Sequence, residues 1–300
     1  MPNAQFTFPS ADGLDVVAYR WDPAGEPVGA AMIVHGMGEH VLRYEELAQT
    51  LNGAGFVVYG HDHRGHGATV KPGETPGDLG RDGWPALVAD IGRLADIVRK
   101  NHAGLPIVLI AHSMGAFATQ QFLLDSSSRV DAVVLSGTGC LDLLEPALDL
   151  DSELDLAMFN GPFAPARTDF DWLSRDQAAV DKYVADPLCG FGLDVSSVKA
   201  MFAGARRLAD PAEAARVRAD LPVLIAVGSH DPVNAALALV TPLVDRLTAA
   251  GVSDVTFRAY DGARHEILNE TNRAEVLADL LAWVDRVLAS AESPAASIGG

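Results

Sequence analysis

The chain has 300 residues, 49% of them apolar, and a formal net charge of −18. That is enough apolar material for one large core, but so acidic a balance argues against nucleic acid, whose phosphates need a basic footprint, and against electrostatic docking on anionic membranes. No run approaches the roughly 20 apolar residues of a membrane span, no leader pattern opens the chain, and the two cysteines, Cys140 and Cys189, make no disulfide framework, so a reducing, cytoplasmic setting is expected.

In chain order, Gln5 to Phe8 and Leu14 to Trp21 read as an antiparallel pair around a turn at Asp12 and Gly13. Ala30 to Val34, Phe56 to Tyr59, Ile107 to Ala111, Ala132 to Leu135, Pro222 to Gly228 and Val255 to Tyr260 are short runs that read as strands. Arg43 to Asn52 and Pro85 to Lys100 read as helices, the second with apolar residues at Leu87, Ile91, Leu94, Ile97 and Val98. Alternating strands and helices predict an α/β fold whose mostly parallel sheet is covered on both faces. No internal repeat is visible. Between Gly139 and about Val217 the alternation stops. Residues 140–215 are therefore expected to form a helical cap inserted into a core of residues 1–139 and 216–300. Leu141, Leu144, Leu148 and Leu154 can share one side of a helix, and a breaker, Asn160-Gly161-Pro162, follows Met158 and Phe159. Leu144, Leu148, Met158 and Phe159 are candidates for an apolar wall around an acyl chain. The plainer reading is that these residues seal the cap onto the core. The small, polar tail from Ser293 is expected to be disordered.

The densest chemical signal lies around Ser113. A wholly apolar run ends there between small residues, and a helical pattern begins, which is the layout of a nucleophile elbow. The residues two before and two after are Ala111 and Gly115, so alanine replaces the first glycine of the G-x-S-x-G pattern. The plainer reading of such a serine is a helix N-cap. A nucleophilic serine needs a base, and the base needs an orienting carboxylate. Asp231 and His265 follow in the order serine, acid, histidine. Each lies just past a predicted strand, at the edge where open parallel sheets bind ligands. Asp261 competes for the acid role, but it sits in an Asp-Gly turn close to His265 and is expected to shape the loop. His112 adjoins Ser113 on a strand, where neighbouring side chains diverge. Two backbone amides should hold an oxyanion: Met37, in the loop after Ala30 to Val34, and Met114, after the serine. Their flexible side chains would line the acyl entrance. His61, His63 and His66 superficially match a binuclear metal pattern, but Gly65 stands where an aspartate is needed, so no metal site is expected.

Further motifs surround these residues. His35-Gly36-Met37-Gly38-Glu39-His40 is followed by Arg43-Tyr44, and then by Asp62-His63-Arg64-Gly65-His66-Gly67. With Asp171 to Asp176, Tyr183, Asp186 to Gly190 and Gly262 to Glu270, the chain from about Phe6 to Val287 resembles the monoacylglycerol lipase and lysophospholipase group of α/β hydrolases, grouped with serine-aminopeptidase-like hydrolases. Ala111 departs from the glycine usual in that group. The resemblance implies the α/β-hydrolase fold, an ester hydrolase with Ser113, Asp231 and His265 as its triad, and no cofactor. It also suggests that Glu39 and Arg43 lie near the alcohol side of the substrate; equally, they could only fix the oxyanion loop. Asp62, Arg64, Gly65 and Gly67 are expected to hold a turn under the active-site edge.

The expected reaction is two-step acyl transfer to water on a single-chain lipid ester, a monoacylglycerol or a lysophospholipid. Small-ester or amide hydrolysis, or acyl transfer to another acceptor, could use the same triad. A non-catalytic binding protein would have little use for all three residues. Membrane contact is expected to be at most transient and through the apolar cap. Nothing in the sequence sets the oligomeric state.

Overall fold

Eight segments extend into strands: β1 (Ala4–Pro9), β2 (Asp15–Trp21), β3 (Gly29–Val34), β4 (Phe56–His61), β5 (Ile107–His112), β6 (Ala132–Ser136), β7 (Val223–Gly228) and β8 (Val255–Tyr260). This is a computed structural model, and it describes residues 1–152 and 154–291. The tail from Ser293 lies outside them. The strands form one sheet in the order β1-β2-β4-β3-β5-β6-β7-β8. Pairing is antiparallel between β1 and β2 and between β2 and β4, and parallel from β4 onward.

Every residue of β3, β4, β5, β6 and β7 is buried, because helices cover both faces. Side chains alternate between the two sides. Ala30, Met32 and Val34 of β3 join the core under α2 (Gly83–Asn101), α3 (Met114–Ser126) and α8 (Val240–Ala249), whereas Ala31 and Ile33 join the core under α1 (Glu45–Gly53) and α9 (Arg273–Ala291). In α2, Leu87, Ile91, Leu94 and Val98 recur at helical spacing and are buried. The edge strand β8 carries exposed residues at Phe257, Arg258 and Ala259.

Two expected helices differ in the structure. The one expected from Arg43 begins as a tighter 3-10 turn at Val41–Tyr44, and α1 starts only at Glu45. The expected helix through Leu141, Leu144, Leu148 and Leu154 breaks after α4 (Leu141–Leu144). Pro146 lies in the 3-10 turn Glu145–Ala147 that follows; its ring removes an N–H that a continuing helix would use.

Between β6 and β7 the chain forms α4, a 3-10 segment at Leu156–Phe163, α5 (Gln177–Ala185), α6 (Val195–Ala205) and α7 (Pro211–Ala214). Aspartates start the last three helices. Asp176, Asp194 and Asp210 each accept backbone N–H bonds at an N-terminus. This insertion lies over the carboxyl ends of the central strands. Among the described residues, no helix is long and apolar enough to cross a membrane.

Candidate active site

Ser113 joins β5 to α3 with φ 52° and ψ −121°. That is a strained conformation for a residue with a side chain, and such strain persists only where the surroundings enforce it. Strand and helix cross closely enough that a Cβ on Gly115 would lie 2.4 Å from the Val34 carbonyl oxygen. Two residues before the serine, the Ala111 methyl is fully buried in the core.

The loops after β7 and β8 bring two more groups to this turn. His265 Nε2 lies 2.8 Å from Ser113 Oγ, and His265 Nδ1 lies 2.9 Å from Asp231 Oδ2. A carboxylate only accepts, so Nδ1 carries the hydrogen and Nε2 is left to accept from the serine hydroxyl. Asp231 is fully buried and accepts further bonds from the Val233 N–H at 2.9 Å and the Asn234 amide at 3.2 Å. Burial alone would lower the His265 pKa; the nearby carboxylates, Asp231 foremost with Glu266 and Glu39, together outweigh it and hold the group above its ordinary value. Asp261 is exposed and meets Ser229 instead. His112 packs its ring 4.7 Å from that of His265 and bonds Ser136 Oγ at 3.2 Å, and burial keeps its pKa well below normal.

The loop after β3 closes a third side. Neither the Met37 nor the Met114 N–H has an acceptor among the described residues, and Met114 opens α3, where such donors are left free. Glu39 folds back under this loop and accepts from the Gly36 N–H at 2.5 Å and the Tyr44 hydroxyl at 2.7 Å. Arg43 bonds Glu39 and also grips both oxygens of Glu266 at 2.7 Å. The buried series Glu39–Arg43–Glu266 thus ties the β3 loop to the residue next to His265. Burial raises the pKa of Glu39, whereas for Glu266 the Arg43 guanidinium overcomes burial and holds it at about 2. From the insertion, Tyr183 donates its hydroxyl to the Gly38 carbonyl at 2.8 Å, and the Gly190 N–H donates to the same oxygen at 3.0 Å. Gly38 must lack a side chain here, since a Cβ would lie 2.3 Å from the Phe191 carbonyl oxygen.

Ser113, His265 and Gly36 lie at the floor of a chamber. Its walls include Met37, Met114, Leu141, Leu144, Leu148, Leu154, Leu156 and Phe159, and Glu39 also reaches it. The four leucines expected on one helix therefore do share a face, although a broken chain carries them. Arg43 is not among the lining residues, and Met158 is 47% exposed on the outer surface. Glu266, Tyr183 and Trp172 also line the chamber; the sequence placed them only within motifs of the resemblance, with no role at the site. Glu266 could have been suspected from its place beside His265; nothing local singles out Trp172.

The histidines of the Asp62 segment are structural in their packing. His61, His63 and His66 are buried, with the His61 and His63 rings 4.7 Å apart. Beneath them Asp62 accepts from the Val41 and Ala68 N–H groups, and Arg64 joins Asp12 and Asp90. Three potential metal ligands elsewhere, His40, Asp186 and Cys189, have ligand atoms within 4.8 Å of one another. His40 is already bonded to Asp186 at 2.9 Å, and burial pushes the Cys189 thiol far above its usual pKa, against the thiolate form a metal needs.

A family model described as serine aminopeptidase, S33, matches residues 25–272. The chain is 31% identical to a monoacylglycerol lipase of Mycolicibacterium smegmatis over 291 residues, covering 94% of this chain and 96% of the relative. It is 30% identical to the monoglyceride lipase of Homo sapiens, covering 94% and 90%. Among solved structures, a thermostable carboxyl esterase from Bacillus coagulans, in complex with glycerol, superposes with a TM-score of 0.85 at 25% identity, covering 96% of this chain and 99% of the other.

Proposed function

The chain belongs to the serine aminopeptidase S33 family of hydrolases, and from that premise we propose that it cleaves single-chain glyceride esters through an acyl-enzyme on Ser113. The coarser activity is that of a carboxylic ester hydrolase, as in its lipase and esterase relatives. The observation that carries the finer reading is the hydrogen-bonded line Ser113–His265–Asp231 at the floor of an apolar chamber.

In this reading His265 takes the Ser113 proton as the hydroxyl attacks the ester carbonyl. Asp231 orients the imidazole and balances the charge it gains. The Met37 and Met114 amides hold the oxyanion, whose negative charge no longer needs water. His265 then protonates the leaving alcohol and activates water against the acyl-enzyme. Glu39 and Arg43 act by fixing the β3 loop. Residues 140–215 serve as the cap, and Leu144, Leu148 and Phe159 contact the acyl chain. A lysophospholipid has the same single chain and fits the same wall, with a neutral or zwitterionic head favoured by the acidic surface.

A fluorophosphonate should label Ser113 stoichiometrically, and Ser113→Ala should lose both labelling and several powers of ten in turnover. A ladder of p-nitrophenyl esters, run beside a monoacylglycerol and an anilide, tests the substrate. Each buried methylene contributes about 0.8 kcal/mol, or roughly fourfold in kcat/KM, until the wall is filled. Acetate as the best ester, with longer chains falling steadily, would make the protein a small-ester or amide hydrolase whose leucines are packing only.

A further inference from the structure

A strip of the insertion at residues 171–174 runs along the histidine loop as an added backbone neighbour. The Glu266 N–H donates to the Leu173 carbonyl at 2.7 Å, and the His265 N–H to the Trp172 carbonyl at 3.4 Å. Arg264 donates to the carbonyls of Asp171 and Ser174, and the Ser174 hydroxyl donates to the Asn269 carbonyl at 2.9 Å. These bonds hold the Trp172 indole against the His265 imidazole, with centroids 5.0 Å apart and planes tilted by 43°. The indole is 5% exposed and also meets the Phe159 ring at 5.1 Å. Its N–H has no acceptor among the described residues, so packing and the backbone strip set its position.

The charged and titratable groups around His265 come from several elements. Asp231 comes from the loop after β7, Glu266 from the histidine loop itself, Glu39 and Arg43 from the segment after β3, and His112 from β5. On the insertion's side the group facing the imidazole is a neutral aromatic ring. An indole face attracts a cation within about 6 Å of its centroid, and more strongly where water is excluded.

We propose that Trp172 is a positioning residue that holds the His265 ring in place and stabilises its imidazolium form. The catalytic consequence rests on the reading of Ser113 and His265 given above, because the imidazolium forms as the serine proton is taken. The effect on His265 titration does not depend on that reading.

The test compares Trp172→Leu, which removes the aromatic face, with Trp172→Phe, which keeps a weaker one. Two quantities are read: the pH dependence of kcat/KM on one p-nitrophenyl ester, and the His265 titration by NMR in a Ser113→Ala background, assigned with His265→Gln. In Trp172→Leu the acid limb and the NMR midpoint should both move to lower pH by about half a unit, with plateau kcat/KM reduced about threefold or more. Trp172→Phe should fall between this variant and the native protein. A midpoint that stays in place or rises in Trp172→Leu overturns the proposal, since admitted water alone would raise it. If Trp172→Leu does not fold, fluorotryptophan incorporation weakens the ring face while keeping its shape. The limb should then step downward as fluorines are added, and an unmoved limb is again fatal. Undiminished ester hydrolysis in Ser113→Ala would instead remove the catalytic reading, while the NMR comparison would still decide the Trp172 contact.

Discussion

Ala111 and Gly115 flank Ser113 at equal distances along the chain, yet they face different constraints. Gly115 abuts the backbone carbonyls of Val34 and His35, which cannot retreat without moving β3. Ala111 projects from β5 into the core shared with α2 and α3 and is fully buried there. Its methyl therefore belongs to the packing, and Ser113 keeps its positive φ beside it. Ala111→Gly should destabilise the protein by about 1–2 kcal/mol, from the lost methyl and from glycine's backbone freedom in a strand. Its turnover should stay within about tenfold of the native value, which is roughly 1.4 kcal/mol of barrier. Urea denaturation and steady-state kinetics measure the two effects. A gain well beyond tenfold would mean that the native turn holds Ser113 off its best geometry.

At the scale of elements, Arg43 joins the loop after β3 to the histidine loop. Its guanidinium is the shared partner of Glu39 under the β3 loop and of Glu266 in the histidine loop. Removing it leaves two buried carboxylates facing each other, and such a loss costs about 3–5 kcal/mol. Arg43→Met should lower stability by that order in urea denaturation. The triple variant Glu39→Gln, Arg43→Met, Glu266→Gln should recover much of it, because neutral groups need no counterion. A loss below about 1 kcal/mol for Arg43→Met would show that the loops hold without the bridge. This bridge also marks the limit of what the sequence makes legible. The central strands could be read because each is a short, wholly apolar run buried on both faces. Ser113 and Asp231 stand out because each follows such a run, and His265 because it follows the mixed edge strand β8 and completes the order serine, acid, histidine. Arg43 and Glu266 stand 223 residues apart, and no local pattern announces their pairing. The same holds for Trp172 on His265. The helix expected through Leu154 failed for a local reason, Pro146. The starts of α5 and α6 carried a legible signal in Asp176 and Asp194, because an aspartate before a helical stretch can cap it.

For the whole molecule, two electrostatic effects pull stability in opposite directions as pH falls. The net charge of −18 shrinks toward the pI near 4.7, which relieves repulsion and favours the folded state. Against this stand the buried histidines. Burial holds His61 and His66 at about 4 and keeps His35, His63 and His112 well below normal. Each is neutral when folded, whereas in the unfolded chain it titrates near 6.5. Below about 6.5 the unfolded state therefore binds more protons, and each such histidine removes up to about 1.4 kcal/mol per pH unit until its folded pKa is reached. Above 6.5 these groups contribute no slope. His265 has the opposite sign, since its raised pKa gives stability at low pH that fades as pH rises through the folded value. Glu266 and Asp12, held at about 2, lose their contributions only further down, as pH falls from their unfolded values toward 2. Surface repulsion is screened over about 8 Å at physiological salt, so the histidines should win between pH 6.5 and 4. Urea midpoints should then fall steeply from pH 6.5 to 5, and above 6.5 only the fading His265 contribution should lower them. His61 gives the sharpest check, because neither of its ring nitrogens has a partner among the described residues. His61→Phe should be neutral or stabilising at pH 7, and it should reduce the slope below 6.5 by about one proton. A stability that rises toward the pI, or a slope unchanged in His61→Phe, would mean that these histidines are hydrated and free to protonate inside the folded protein.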